Sequence, residues 1–95
     1  MRLSQDKIDN LKASISFILP NSKIYLFGSR VDDNKKGGDI DILILANRKL
    51  SFIEKAKVEK MFFQQFGEQK IDLISFSFDD MNTFKELVLE EAIEL

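Results

Sequence analysis

The chain has 95 residues, 44% of them hydrophobic, with a net charge of −2, nine Phe, no Cys and no His. Without thiols or imidazoles there can be no disulfides, no zinc hydrolase site and no Ser-His-Asp triad. The acidic balance argues against general nucleic-acid binding, and no apolar run approaches the ~20 residues of a membrane span. The length fits one domain over residues 1–95, with a core that needs no covalent staple. The N-terminus lacks a signal-peptide core, so the expected address is the cytoplasm.

In chain order, the first periodic segment covers residues 4–20, where Ile8, Leu11, Ile15 and Ile18 recur at helical spacing. Ser4 is its expected N-cap and Pro20 its stop. Residues 23–27, Lys-Ile-Tyr-Leu-Phe, read as a short strand, broken by Gly28-Ser29. A polar loop closing on Gly37-Gly38 follows. Residues 39–46 form the second strand, with Ile40, Ile42 and Ile44 on one face and Asp39, Asp41, Leu43 and Leu45 on the other. Both faces become apolar after Asp41, which predicts a central strand.

Ser51 and Glu54 make a capping box that opens a second helix running to about Phe66, with Gly67 as its C-cap. Phe52, Ile53, Ala56, Met61, Phe62, Phe63 and Phe66 give that helix a wide apolar stripe, core first of all; part of it, or of the last helix, is expected to remain exposed for a partner. Residues 70–78 read as a third strand, with Ile71 and Leu73 on one face and Asp72, Ile74 and Phe76 on the other. Asp79 or Asp80 is expected to cap a last helix carrying Phe84, Leu87, Val88 and Leu95. The order α-β-β-α-β-α predicts an α+β fold, a sheet packed on helices.

Asp39 and Asp41 are two residues apart in a strand, so their carboxylates leave the same face about 7 Å apart. Like charges at the head of an apolar strand call for a positive partner, and an oxygen-liking ion such as Mg²⁺ suits a chain with neither His nor Cys. If the second and third strands pair, Asp72 completes a three-carboxylate cluster able to hold one or two Mg²⁺ ions for in-line transfer. Gly28 lets backbone approach a phosphate, Ser29 adds an N–H and a hydroxyl, and Arg30 offers a forked cationic contact. Lys35 and Lys36 could also touch phosphates, although lysines in a polar loop are usually just solvated. Taken singly, Gly28-Ser29 is a turn and Asp39 and Asp41 open a strand; the combination carries the argument.

Gly28-Ser29, then Asp39-x-Asp41, then Asp72 before a hydrophobic residue, resemble the nucleotidyltransferase superfamily with the polymerase-β-type palm, and among them the minimal, standalone nucleotidyltransferases. The resemblance spans residues 23–76. Nine residues separate Ser29 from Asp39, where many relatives have ten, and Gly37-Gly38 stands where many have a polar residue. It implies a palm with a mixed sheet, in which Asp39, Asp41 and Asp72 are metal ligands and catalytic groups and Gly28 and Ser29 contact the triphosphate, with Arg30 beside them as the added cationic contact read from the residues. It further implies ATP as substrate, AMP as the group moved to an acceptor hydroxyl, and a small helical HEPN-type partner in a toxin–antitoxin pair, as a homo- or hetero-oligomer. Two other readings stand beside it: a non-catalytic antitoxin that covers its partner, and the transferring half of a small-molecule-modifying enzyme.

Overall fold

The computed structural model describes residues 1–34 and 38–95. Lys35, Lys36 and Gly37, named above as loop residues, lie outside the described residues. Among the described residues the elements run α1 (Gln5–Ile18), β1 (Lys23–Phe27), a 3₁₀ turn (Gly28–Val31), β2 (Ile40–Ala46), α2 (Phe52–Phe66), β3 (Ile71–Ser77), α3 (Thr83–Leu89) and β4 (Ile93–Glu94). The predicted order is found, with one short strand added at the end.

The sheet order is β3-β2-β1-β4. β2 pairs antiparallel with β1 and parallel with β3, so it is central and its two-sided apolar character has a cause. Its even residues face the larger core: Ile40, Ile42 and Ile44 are fully buried with Leu11 and Ile15 of α1 and Val58 and Phe62 of α2. Its odd residues Leu43 and Leu45 pack with Phe76 on the opposite face, where Val88 and Leu89 of α3 join Tyr25, Phe27 and Ile74. α1 and α2 thus cover one face, and α3 part of the other.

Local chemistry sets the helix ends. The Ser4 hydroxyl accepts from the Lys7 N–H, and the Ser51 hydroxyl accepts from the Glu54 N–H while the Glu54 carboxylate accepts from Ser51 N–H. Arg48 adds a two-pronged contact to Glu54, at 2.7 and 2.8 Å, whose hydrogen bonds hold that carboxyl down at about 2. Ser51→Ala is expected to lower the unfolding free energy by about 1 kcal/mol, read from urea denaturation.

Two expectations are corrected. The last helix is capped by Asn82, not Asp79 or Asp80, and ends at Leu89. Asp80 instead accepts from the Asn82 N–H, and the buried Lys85 ammonium donates to the carbonyls of Phe78 and Asp80, so side chains close this turn before the helix begins. Leu95 therefore lies beyond the helix: Ile93 and Glu94 pair with the free edge of β1, and Leu95 packs against the larger core. The pairing satisfies an edge that would otherwise remain open.

The stripe on α2 is narrower than its composition suggests. Phe52 is 86% exposed and Ile53 is also exposed, while Val58 and Phe62 are fully buried. Ile53 precedes Phe62 by nine residues, about two and a half turns, so the two point in opposite directions. On α1, Phe17 is 88% exposed. Among the described residues no helix is long and apolar enough to cross a membrane.

Candidate active site

Strand register decides which carboxylates meet. Asp41 stands opposite Phe27 of β1 and beside Asp72 of β3. Paired residues in neighbouring strands share a face and lie about 5 Å apart, so Asp41 and Asp72 project on the α3 side of the sheet together. Asp39 comes just before the strand and Lys70 just before its parallel neighbour, where the Ile40 N–H donates to the Lys70 carbonyl at 3.1 Å. Asp41 and Asp39 are half-buried and Asp72 is exposed, which leaves the group open to a ligand.

Burial, and after it the charges of Asp72 and then Asp39, pushes the Asp41 carboxyl above its ordinary value; Lys70 and Arg30 offset only part of this. The cluster is therefore short of positive charge. Lys70 supplies some of it, its ammonium 3.3 Å from the Asp39 carboxylate. Lys70 is well exposed and Asp39 only half-buried, so solvent screens the pair and it contributes little to stability.

The side-chain donors at this corner are oxygens, chiefly carboxylate, which suits a hard cation such as Mg²⁺. Among the described residues, no three acidic groups come together closely enough to form a ready ligand set. Asp39 is engaged by Lys70 through its Oδ2.

The Gly28-Ser29 turn lies directly on this cluster. Gly28 has φ +76°, and a Cβ built on it would overlap the Asp41 Oδ2 and come within 3.2 Å of Cγ. A side chain is thus excluded twice, by backbone sign and by the carboxylate. Across the loop, Gly38 has φ +86° and a Cβ there would overlap the Ser29 Oγ. The 3₁₀ turn begins at Gly28 with no side chain capping it, and Gly28 itself is exposed.

Arg30 is built into the loop. Its guanidinium donates to the Arg2 carbonyl at 2.9 Å and the Gly38 carbonyl at 3.4 Å, with its buried Nε lacking a partner among the described residues. Arg2 returns the contact: its N–H donates to the Arg30 carbonyl, and its guanidinium to the carbonyls of Ser29 and Asp32. The two arginines clasp the turn from both sides. Sequence reasoning missed Arg2, for which no local pattern exists, and Lys70, whose place beside Asp39 follows once the parallel register is known.

All the residues predicted for the site except Arg30 present groups on one corner of the sheet: Asp39, Asp41 and Asp72 as carboxylates, Gly28 and Ser29 as the turn against them. Arg30 lies at the same corner with its fork engaged by backbone.

The family model described as Polymerase beta, Nucleotidyltransferase matches residues 10–95. Among solved structures, a chain in the crystal structure of a mutant MntA-HpeT toxin-antitoxin aligns over 99% of this chain and 72% of its own, with a TM-score of 0.71 and 24% identity. A chain of a toxin-antitoxin crystallised with AMP-PNP aligns over 97% of this chain and 72% of its own, with a TM-score of 0.71 and 23% identity. A third belongs to the complex of tri-AMPylated Shewanella oneidensis HEPN toxin with MNT antitoxin: 93% of this chain, 70% of that one, TM-score 0.59, 22% identity. At such identities the likeness is one of fold. No curated protein matches the chain.

Proposed function

The chain belongs to the polymerase-beta nucleotidyltransferase family, and we propose that it is a Mg²⁺-dependent enzyme that moves AMP from ATP to a hydroxyl on a helical HEPN-type toxin, as the antitoxin of the pair. The observation that carries this reading is the close approach of Gly28 to Asp41, which sets a turn without a side chain against a carboxylate that is short of positive charge.

Asp39, Asp41 and Asp72 would hold Mg²⁺, which when bound neutralises the phosphates and stabilises the charge that develops as pyrophosphate leaves. The Gly28 and Ser29 N–H groups and the Ser29 hydroxyl would orient the triphosphate, and Arg30 would keep their turn in shape and add its charge. Asp72, the most exposed of the three carboxylates, would take the proton from the acceptor hydroxyl. The acceptor oxygen then bonds to the α-phosphorus as the bond to the bridging oxygen breaks, giving an adenylylated acceptor and pyrophosphate. Lys70 would hold Asp39 until the cation arrives.

A toxin partner is supported by the likeness to chains of toxin-antitoxin complexes and by Phe17 and Phe52, aromatic side chains left in water on the helical face. Incubation with α-labelled ATP, Mg²⁺ and the product of the adjacent gene is expected to put label on that product. EDTA, or the double change Asp39→Ala/Asp41→Ala, is expected to abolish it. A tight complex without transferred label would sink the enzymatic reading and favour an antitoxin that acts by covering its partner.

A further inference from the structure

We propose that the cleft between the Gly28 turn and α3 seats the nucleobase, stacked against Phe84 and walled by Phe27, Leu87 and Val88. The proposal rests on the nucleotidyl-transfer reading and adds to it the residues that grip the base.

The cleft measures about 290 Å³ and is lined by Phe27, Gly28, Phe84, Leu87, Val88 and Glu91. Ligand pockets start at roughly 300 Å³, so this one suits a base and not a whole nucleotide. Gly28 belongs both to this lining and to the turn that touches Asp41, so the two spaces meet at a residue without a side chain. Phe27 pairs with Asp41 in the sheet, which puts cleft and carboxylates on the same face. Two other clefts, about 450 Å³ along α2 and about 390 Å³ between α1 and α2, lie with the helices that cover the opposite face.

Phe84 and Leu87 are 46% and 59% exposed and belong to neither core cluster. Phe84 is nevertheless held: its ring meets Phe27 edge-on, at 6.3 Å and 81°. Large apolar side chains held in place outside the core suit a flat, uncharged ligand. Chemistry also sets the polarity of the nucleotide. Glu91, the one charged residue of the lining among the described residues, repels phosphate, whereas the Gly28-Ser29 turn presents backbone donors with Arg30 and Lys70 nearby. A triphosphate on the turn therefore points its sugar and base toward α3. An aromatic base has the faces that Phe84 can stack and needs no charged partner.

The test is calorimetric titration of the protein with ATP and, separately, with inorganic tripolyphosphate, each with Mg²⁺. Wild type is expected to bind ATP more tightly than tripolyphosphate. Phe84→Ala is expected to weaken ATP about ten- to hundredfold and to leave tripolyphosphate unchanged. Leu87→Trp, which fills the mouth of the cleft, should do the same, and both positions are exposed enough for circular dichroism to show an unaltered fold. ATP affinity unchanged in both variants overturns the proposal, including the case where transfer falls and the cleft thereby belongs to the acceptor. Equal wild-type affinity for ATP and tripolyphosphate overturns it too, while leaving the phosphate turn intact. A wild type that binds neither defeats the nucleotidyl-transfer reading itself, and this proposal with it.

Discussion

Asp41→Asn is expected to lose about a thousandfold in transfer rate while the protein becomes more resistant to heat in the absence of metal. The rate follows from removing a ligand for the cation, whose charge stabilisation amounts to several kcal/mol, at 1.36 kcal/mol per tenfold. The stability follows from electrostatics. Burial and two neighbouring aspartates raise the Asp41 carboxyl above its ordinary 3.8, so the ionised group disfavours folding. That penalty is fully present above the raised value and disappears as pH falls through it toward 3.8, because the group is then protonated in both states. The midpoint advantage of Asp41→Asn should therefore be present at neutral pH and close on acidification. Adding Mg²⁺ with ATP should raise the wild-type midpoint and not that of the variant, since a ligand stabilises only the state that binds it. Thermal melts across pH, paired with a transfer assay, read both effects. A variant with wild-type transfer would remove Asp41 from the mechanism.

Gly28→Ala is expected to cost both stability and rate, for two separable reasons. A left-handed backbone costs an L-residue roughly 1–2 kcal/mol, and Gly28 has φ +76°. The new methyl would also meet the Asp41 carboxylate, which must move aside. Displacement of a reacting group by about 1 Å lowers rates by as much as a hundredfold, and transfer is expected to fall by that order. The second reason is isolated by the double variant. With Asp41→Asn already present, Gly28→Ala should add little further loss of rate, because both act on the same carboxylate. Full, independent losses in the double variant would mean that Gly28 serves the nucleotide alone.

Much of this arrangement is legible in the amino-acid sequence. Ser4 and Ser51 mark helix starts because a hydroxyl satisfies free N–H groups whatever the tertiary context. The alternation in β2 and β3 assigned Asp41 and Asp72 to the same faces as Leu43 and Ile74, since side chains of a strand can point only two ways. Apolar residues on both faces after Asp41 implied a central strand, and β2 is one. Apolar spacing alone extends the final helix too far because its apolar residues serve two elements. Phe84 to Leu89 are helical, while Ile93 and Leu95 follow the edge of β1. The capping rule chose among aspartates where an asparagine, and a buried lysine on two carbonyls, close the turn.

What the residues determined by themselves were the local and periodic features: the helix caps, the two-faced strands, the turn at Gly28-Ser29, and an inventory of ligands that leaves carboxylate oxygen as the chemistry. These depend on groups a few residues apart, whose geometry the backbone dictates. Tertiary structure decided the rest. The parallel pairing of β2 with β3 brought Asp72 to Asp41 and Lys70 to Asp39 across some thirty residues of chain. Docking of α3 on the far face set Phe84 and Leu87 beside Gly28, and the N-terminal segment brought Arg2 to the turn. Such contacts are set by how buried faces pack against one another, and no spacing along the chain records where one face meets another.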